Sequence, residues 1–502
     1  MPEVVGYVFE ESGYYRPDSF DVVLREGVSV EPGEFLWIDV DGTRVYYQVV
    51  EVVVRRRPTA YDEIMLKTGR AVRDEESDFP RARVEQVGYV SGRRLDSYTG
   101  LVRPHQEIYR AGEEDLEVLL SWRRAESAGP TVLLGGVRPG GLELRLRAWD
   151  LMRRGLVVFG GVGSGKTTTL LNVVVRLIEA VRSAGGTPSA LVLDKDGEYG
   201  PVLSERLGAE VLDASSLIHE GGGEDVYSVL RSALGLSGQS REAKALKAAV
   251  ISSLGGVQGA VTRQTVEAVI QRLETLAAGG GQTGVQREAA ASAASQLRSI
   301  LDNFPEAREG TPASSIPSLV EGRILVLDLT RVEDWDDTYM ALSEALTACY
   351  KRALADRSFG LLVVIDEAHL FAPERGGVSL AEEQATRELR STLKIIATTG
   401  PRNGITPFIS TQRPALVDKT LTTQLGQNVI SHRVEDVDLD RVKEMIGSIA
   451  EAVRLFPEGR AIVKSTAAPL PRPVIVDVVA ETFPASTGWT ALDRWVQGGS
   501  AG

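Results

Sequence analysis

Gly160-Gly161-Val162-Gly163-Ser164-Gly165-Lys166-Thr167 follows the apolar run LVVFG at 156–160 and leads into TTLLNVVVRLIEAV at 168–181. A complete GxxxxGKT pattern therefore stands between a strand and a helix, the context its chemistry needs. Glycines let the backbone curl so that successive N–H groups face phosphate, and the start of the next helix adds a favourable electrostatic end. The stretch predicts a triphosphate cradle. Lys166 is expected at the β and γ phosphates, the Thr167 hydroxyl on magnesium, and Thr168 in support of the loop. The competing reading is a chance glycine turn.

Working outward, three more apolar runs end in polar residues: ALVLDKD at 190–196, ILVLDL at 324–329 and LLVVIDE at 361–367. Continuous apolar strands separated by helical segments indicate a mainly parallel α/β sheet with function at the carboxyl ends of its strands. PFIST at 407–411 and NVISH at 428–432 read as later strands of the same sheet. Asp366 and Glu367 close the LLVVIDE run. Asp366 is expected to orient magnesium through its water shell and Glu367 to polarise the attacking water, so the pair favours ATP hydrolysis. Helix capping is the plainer reading of two acids at a strand end.

Other polar residues sit near the same edge. In Asp194-Lys195-Asp196-Gly197-Glu198-Tyr199 a further acid either positions water or holds an arginine, or the stretch is only a charged turn that Gly197 permits. The Gln412 amide, just past PFIST, either contacts water or γ-phosphate or caps the surface. His369, with no second histidine nearby, reads as a packing or hydrogen-bonding residue rather than a metal ligand. Arg154, Arg402 and Arg433 are candidates for the cation that stabilises phosphoryl transfer from an adjoining subunit; each is otherwise a solvated arginine.

Residues 1 to about 115 carry short β-rich runs, among them FDVVL at 20–24, FLWIDV at 35–40 and VYYQVVEVVV at 45–54, separated by turn signals. They read as a small barrel or sandwich. A helix is expected at about 112–126, with a domain boundary between 110 and 130. Residues 224–310, rich in Ala, Leu, Glu, Gln and Arg, read as several short helices packed against the sheet, broken by GGVQG at 255–259 and AAGGGQTG at 277–284. PERGGVSLAEE at 373–383 reads as an exposed loop, PEGRAIVKS and PRPVIVDVV beyond 455 as two strands, and the last 20 residues as an irregular tail with Trp489 and Trp495.

The 502 residues suffice for several cores. A single cysteine, Cys349, rules out intrachain disulfides and cysteine-based metal clusters. No nucleophile elbow or metal-ligand cluster supports a serine hydrolase or metalloenzyme. The start MPEVVGYVFEESGYY has no signal-peptide pattern, and no apolar run reaches membrane-helix length, so a cytoplasmic, membrane-free protein is expected. A net charge of -13 gives no global attraction for a polyanion, so cations that hold DNA must be concentrated, as in a ring pore.

Taken together in this order, GGVGSGKT, DKDGEY at 194–199, VVIDEAHLFAPE at 363–374 and ISTQRPA at 409–415, behind a β-rich N-terminal region, resemble the HerA family of hexameric DNA translocases. FtsK-type motors and VirB4-type ATPases are more distant relatives of that family. The resemblance covers nearly the whole chain. It implies an α/β RecA-like P-loop ATPase core with an N-terminal small β-barrel (the HAS barrel) and a helical insertion. The divisions are 1–115 for the barrel, 116–222 and 319–478 for the two parts of the core, 223–318 for the insertion, and 479–502 for a tail bracing a neighbouring subunit.

The resemblance also implies a homohexamer threading double-stranded DNA, using ATP and Mg2+, and working with a NurA-type nuclease in DNA-end resection during archaeal recombination and repair. By the same transfer Lys166 and Thr167 bind nucleotide and magnesium, Asp366 supports the metal, Glu367 activates water and Gln412 senses phosphate. It raises Glu198 and Gln412 as members of one site. The chain departs from the family at Pro401-Arg402, where an Arg-Lys pair is usual, at Val162, and at Lys195-Asp196, which either change the charge near the site or form a local pair. A protein-translocating or secretion-associated ATPase and an ATP-binding structural or regulatory ring are the alternative readings.

Overall fold

The structure, a computed structural model, describes residues 2–9, 18–55, 79–92, 94–121, 129–219, 226–254, 261–279, 283–304 and 310–481. Trp489, Trp495 and the tail from 482, the expected helix beyond 121, GGVQG at 255–259, and residues 280–282 of the second break lie outside the described residues.

Seven N-terminal strands form one antiparallel sheet: β1 (Val4–Phe9), β2 (Ser19–Leu24), β3 (Phe35–Val40), β4 (Thr43–Arg55), β5 (Phe79–Ser91), β6 (Arg94–Asp96) and β7 (Glu107–Arg110). They run in the order β2-β1-β7-β3-β4-β5-β6, and an extra β2–β5 pairing closes the first six into a barrel. Period-2 alternation explains its two cores. Phe20, Val22, Leu36, Ile38, Tyr47 and Val49 fill the barrel, whereas Phe35, Trp37 and Tyr46 point outward into the core they share with the second sheet. Polar contacts reinforce that joint: Gln48 donates to the Pro473 carbonyl at 2.8 Å, and Arg472 pairs with Glu85 at 2.6 Å.

The second sheet has eleven strands: β8 (Thr131–Val137), β9 (Leu142–Arg147), β10 (Leu156–Phe159), β11 (Ala190–Asp194), β12 (Glu210–Asp213), β15 (Ile324–Asp328), β16 (Leu361–Ile365), β17 (Ile405–Thr411), β18 (Asn428–Ser431), β19 (Arg460–Ser465) and β20 (Val474–Val478). The remaining two, β13 (Leu217–Ile218) and β14 (Thr311–Pro312), pair with each other. The order is β12-β15-β11-β16-β17-β10-β18-β19-β20-β8-β9, parallel from β12 to β18 and antiparallel beyond.

Both faces of the parallel part are buried, which is why its strands read as continuous apolar runs. On one face Leu156, Val158 and Val192 meet the helices Lys166–Ser183 and Tyr199–Leu207; on the other Val157, Leu191 and Val363 meet Trp335–Ala355 and Glu383–Thr399. This is the α/β RecA-like core with a closed six-stranded antiparallel barrel that the motifs imply.

The helical insertion contains Val226–Ala233, Arg241–Leu254, Arg263–Ala278 and Gly284–Ser299. Contrary to expectation, these helices pack chiefly on one another around a separate core that includes Leu246, Val250, Val269, Leu273 and Leu297. Ala290, Ala293 and Ala294 line the inner face of the last helix, and such small side chains let helices approach closely enough to bury each other's apolar stripe without the sheet. No helix among the described residues is long and apolar enough to cross a membrane.

Candidate nucleotide site

The strand order brings five carboxyl ends side by side: β11, β16, β17, β10 and β18. They carry, in turn, the turn to Glu198, the Asp366-Glu367 pair, Thr411 and Gln412, the glycine loop, and Ser431 to Arg433. The loop closes over β10 with Gly163 at φ 66° and Gly165 at φ 94°, left-handed conformations that favour glycine. Its anchors come from the neighbouring strands: Gly160 N–H donates to the Thr411 carbonyl at 3.3 Å and Gly161 N–H to the Arg433 carbonyl at 2.7 Å. A Cβ at Gly160 would lie 2.3 Å from Ser164 Oγ and 3.0 Å from the His432 Cβ, so a larger residue there displaces the Ser164 hydroxyl and crowds the loop.

Lys166 is 4% exposed and its Nζ lies 2.9 Å from both Asp366 Oδ1 and Glu367 Oε1. Burial alone would lower its pKa, but the two carboxylates outweigh this and raise it. Asp366 Oδ1 also accepts from the Ser410 hydroxyl and, at 3.0 Å, from the Glu367 N–H. Glu367 Oε2 accepts from Gln412 N–H at 3.1 Å and lies 3.1 Å from His369 Nδ1. Burial pushes the Glu367 pKa up, yet His369, Lys166 and the Gln412 N–H together bring it down to about 2. Its backbone is left-handed, at φ 50° and ψ 48°. For a residue with a Cβ that conformation costs about 1–3 kcal/mol, and such strain concentrates at functional positions.

Glu198 stands beside Thr167, and burial followed by the negative charge of Asp366 raises its pKa. Asp196 is raised in the same way, by burial and then by Asp366 and Glu367 against Lys195. Acids held above their ordinary range by burial first and by one another second form a site that a divalent cation would relieve. Among the described residues no group of three His, Cys, Asp or Glu side chains makes a metal cage. Magnesium at such a site takes few protein ligands beside phosphate and water, which fits the Thr167 hydroxyl with Asp366. For phosphate, the N–H groups of Gly163, Gly165, Lys166 and Thr167 meet no backbone acceptor among the described residues. The Ser164 hydroxyl is buried without a partner inside the same loop. The residues present fit a magnesium-bound triphosphate.

No protein-family model matches the chain. Among curated proteins, "Probable helicase MJ1565" of Methanocaldococcus jannaschii is 21% identical over 472 residues, spanning 89% of this chain and 85% of that protein. "DNA double-strand break repair helicase HerA" of Sulfolobus acidocaldarius is 23% identical over 394 residues, 73% of this chain and 72% of that one. Among solved structures, VirB4 of Thermoanaerobacter pseudethanolicus overlaps 71% of this chain and 98% of its own at TM-score 0.42 and 14% identity, an overlap that carries no weight of its own. The chain belongs to the HerA/FtsK-like superfamily of RecA-type ATPases.

In this HerA/FtsK-like core the three candidate arginines divide between the two sheet edges. Arg154 and Arg402 precede β10 and β17, at the sheet edge away from the glycine loop of their own chain. Arg433 follows β18 on the nucleotide edge, its carbonyl on Gly161. All three are exposed. At Lys195-Asp196 a local pair forms at 3.9 Å, with Lys195 also 5.5 Å above the Trp335 ring.

Asp194 is a structural residue. It is 1% exposed, and its carboxylate accepts the N–H groups of Glu198, Tyr199 and Gly200 at 3.0, 3.0 and 2.8 Å, which shapes the turn that presents Glu198. Asp194→Ala, leaving three donors unmet, two of them buried, is expected to destabilise the fold by about 3 kcal/mol, read from urea unfolding.

Three residues escaped the sequence reading. Ser410 bonds Asp366, and the only hint is a hydroxyl in a strand that is buried at every position. His432 and Thr169 bond each other at 2.9 Å beneath the loop. The His432 Nδ1 faces the Arg460 carbonyl at 3.1 Å and so carries the ring proton; burial lowers the pKa to about 4, so the ring is neutral at working pH. Nothing in NVISH marks a histidine that folds under the cradle.

Proposed function

We propose that this P-loop ATPase is a HerA-like, ring-forming motor that hydrolyses ATP between subunits to move along duplex DNA. We further propose that six copies form the ring and that a NurA-type nuclease partners it in end resection. One observation carries the reading: the glycine loop, Asp366-Glu367 and Gln412 converge at one sheet edge in a chain aligning over most of its length with a DNA double-strand break repair helicase.

In this reading Lys166 leaves the two carboxylates for the β and γ phosphates, and the loop N–H groups hold the phosphate oxygens. The Thr167 hydroxyl and Asp366 hold magnesium, which when bound neutralises charge on the phosphates. Glu367 takes the proton of the attacking water, Gln412 registers loss of the γ-phosphate through its backbone bond to Glu367, and Glu198 shapes the water shell. Contacts to DNA phosphates give a sequence-tolerant grip suited to movement.

Full-length protein is expected to hydrolyse ATP several-fold faster with duplex DNA, the stimulation fading as salt rises. Turnover indifferent to DNA at every salt concentration would contradict the DNA reading. The placement of Arg402 away from its own loop favours service to a neighbour's site. Rings of Arg402→Ala or of Glu367→Gln alone are expected to be inactive, whereas mixed rings regain turnover where a Glu367→Gln subunit lends Arg402 to an intact site. Verified mixed rings that stay inactive would remove Arg402 from that role.

A further inference from the structure

We propose that His369 is the positioning residue that makes Glu367 a one-sided base: with the Gln412 N–H it ties down Oε2, so that Oε1 alone is freed when Lys166 moves to phosphate. The inference deepens the ATPase reading and rests on it.

The partners of Glu367 divide by oxygen. Oε1 meets Lys166 Nζ at 2.9 Å, while Oε2 meets the Gln412 N–H and His369 Nδ1, each at 3.1 Å. Of these three donors Lys166 is the one that the glycine loop can hand over to a substrate, since it sits in the loop's own helix, whereas the Gln412 N–H follows the end of β17 and His369 belongs to the short helix Ala368–Phe371. Its departure exposes a lone pair on Oε1 and leaves Oε2 doubly held.

Nδ1 stands 3.1 Å from both Glu367 Oε2 and Thr411 Oγ1, and once protonated it shares its single hydrogen between these two acceptors. The Thr411 Oγ1, also 3.1 Å from Nδ1, accepts the Arg413 N–H at 3.0 Å and fixes the ring to the end of β17. The imidazole thereby spans the two strand ends that carry Glu367 and Gln412. Glu367 itself cannot relax by a simple backbone adjustment: its left-handed turn is held by its N–H on Asp366 Oδ1 at 3.0 Å and by its carbonyl, which accepts the Leu370 N–H at 2.9 Å. A carboxylate on such a turn needs a side-chain donor to fix its rotation, and His369 supplies one.

The test compares full-length His369→Ala, His369→Leu and His369→Asn, of which only Asn keeps an N–H near the place of Nδ1. Steady-state ATP turnover, binding of a fluorescent ATP analogue and thermal melting are measured on each. Loss of positioning is expected to lower kcat by about 10- to 100-fold in Ala and Leu, with nucleotide affinity within about twofold of wild type, and Asn is expected to recover most of kcat. A kcat within twofold of wild type in Ala or Leu, nucleotide affinity falling in step with kcat, or an Asn variant no better than Leu would each overturn the role. Wild-type protein that turns over no ATP would instead refute the ATPase reading, and this role with it.

Discussion

Lys166→Ala is expected to abolish ATP turnover and, before any nucleotide is added, to weaken the fold at neutral pH. Lys166 is the cation shared by two carboxylates that are 2% and 5% exposed, so its removal leaves Asp366 and Glu367 buried side by side without it. Removing one partner of a buried ion pair costs about 3–5 kcal/mol. The pH dependence gives this its signature. In the wild type Glu367 is depressed from its ordinary 4.5 to about 2, so the stability it contributes is present above 4.5 and lost as pH falls through 2. Lys166 is raised from 10.5, so its contribution is complete below that value and lost only at higher pH. These two groups therefore leave the wild type flat across neutral pH, while the buried neutral His432, lowered from 6.5 to about 4, takes stability away as pH falls below 6.5 in wild type and variant alike. Without Lys166, the burial that pushes the Glu367 carboxyl up loses one of its counterweights, and the Glu367 pKa rises. The variant's deficit is then expected to shrink as pH drops from 7 towards 5, the reverse of the wild-type trend below 4.5. Urea unfolding at a series of pH values reads both; a deficit independent of pH would show that the buried pair does not set the stability of this edge.

Glu367→Gln is expected to separate binding from chemistry. The amide preserves the size of the side chain on its left-handed turn, and although its NH2 end faces a donor that Glu367 accepted, the glycine loop keeps its own backbone anchors on Thr411 and Arg433. The amide cannot take a proton from water, and the loss of a positioned base costs about 10²- to 10⁴-fold in turnover. Nucleotide binding is expected to persist, read by equilibrium titration, and bound ATP to accumulate where hydrolysis would otherwise clear it. Turnover within tenfold of wild type would place the base elsewhere, with Glu198 next in position because it also stands at Thr167.

The two variants probe parts of the site that differ in how openly the sequence announced them. Lys166, Thr167, Asp366 and Glu367 were legible because their chemistry needs fixed spacing from a strand end, and spacing is local. Gln412 was legible as a residue following a strand, but its partner was not: it meets Glu367 through its backbone N–H rather than the amide side chain that residue type suggests. Ser410, His432 and Thr169 were hidden because each acts on a residue more than 40 positions away, and only the strand order brings them together.

The fold shows the same division. Short β-rich runs such as FDVVL and FLWIDV, spaced by turn signals, pointed to a barrel or a sandwich, and apolar runs pointed to the parallel sheet. The closing β2–β5 pair and the antiparallel extension from β19 to β9 depend on partners far apart in the chain, such as Val476 with Val137, and no local pattern encodes them. The insertion was recognisable as helical from its composition, whereas its self-contained core depended on which stripes met.

Displacement of a third strand from a triplex on duplex DNA tests the motor claim most directly. Full-length protein is expected to displace it only with hydrolysable ATP, and Glu367→Gln is expected to bind the duplex without displacing. ATP turnover that proceeds without DNA and yields no displacement would contradict the account.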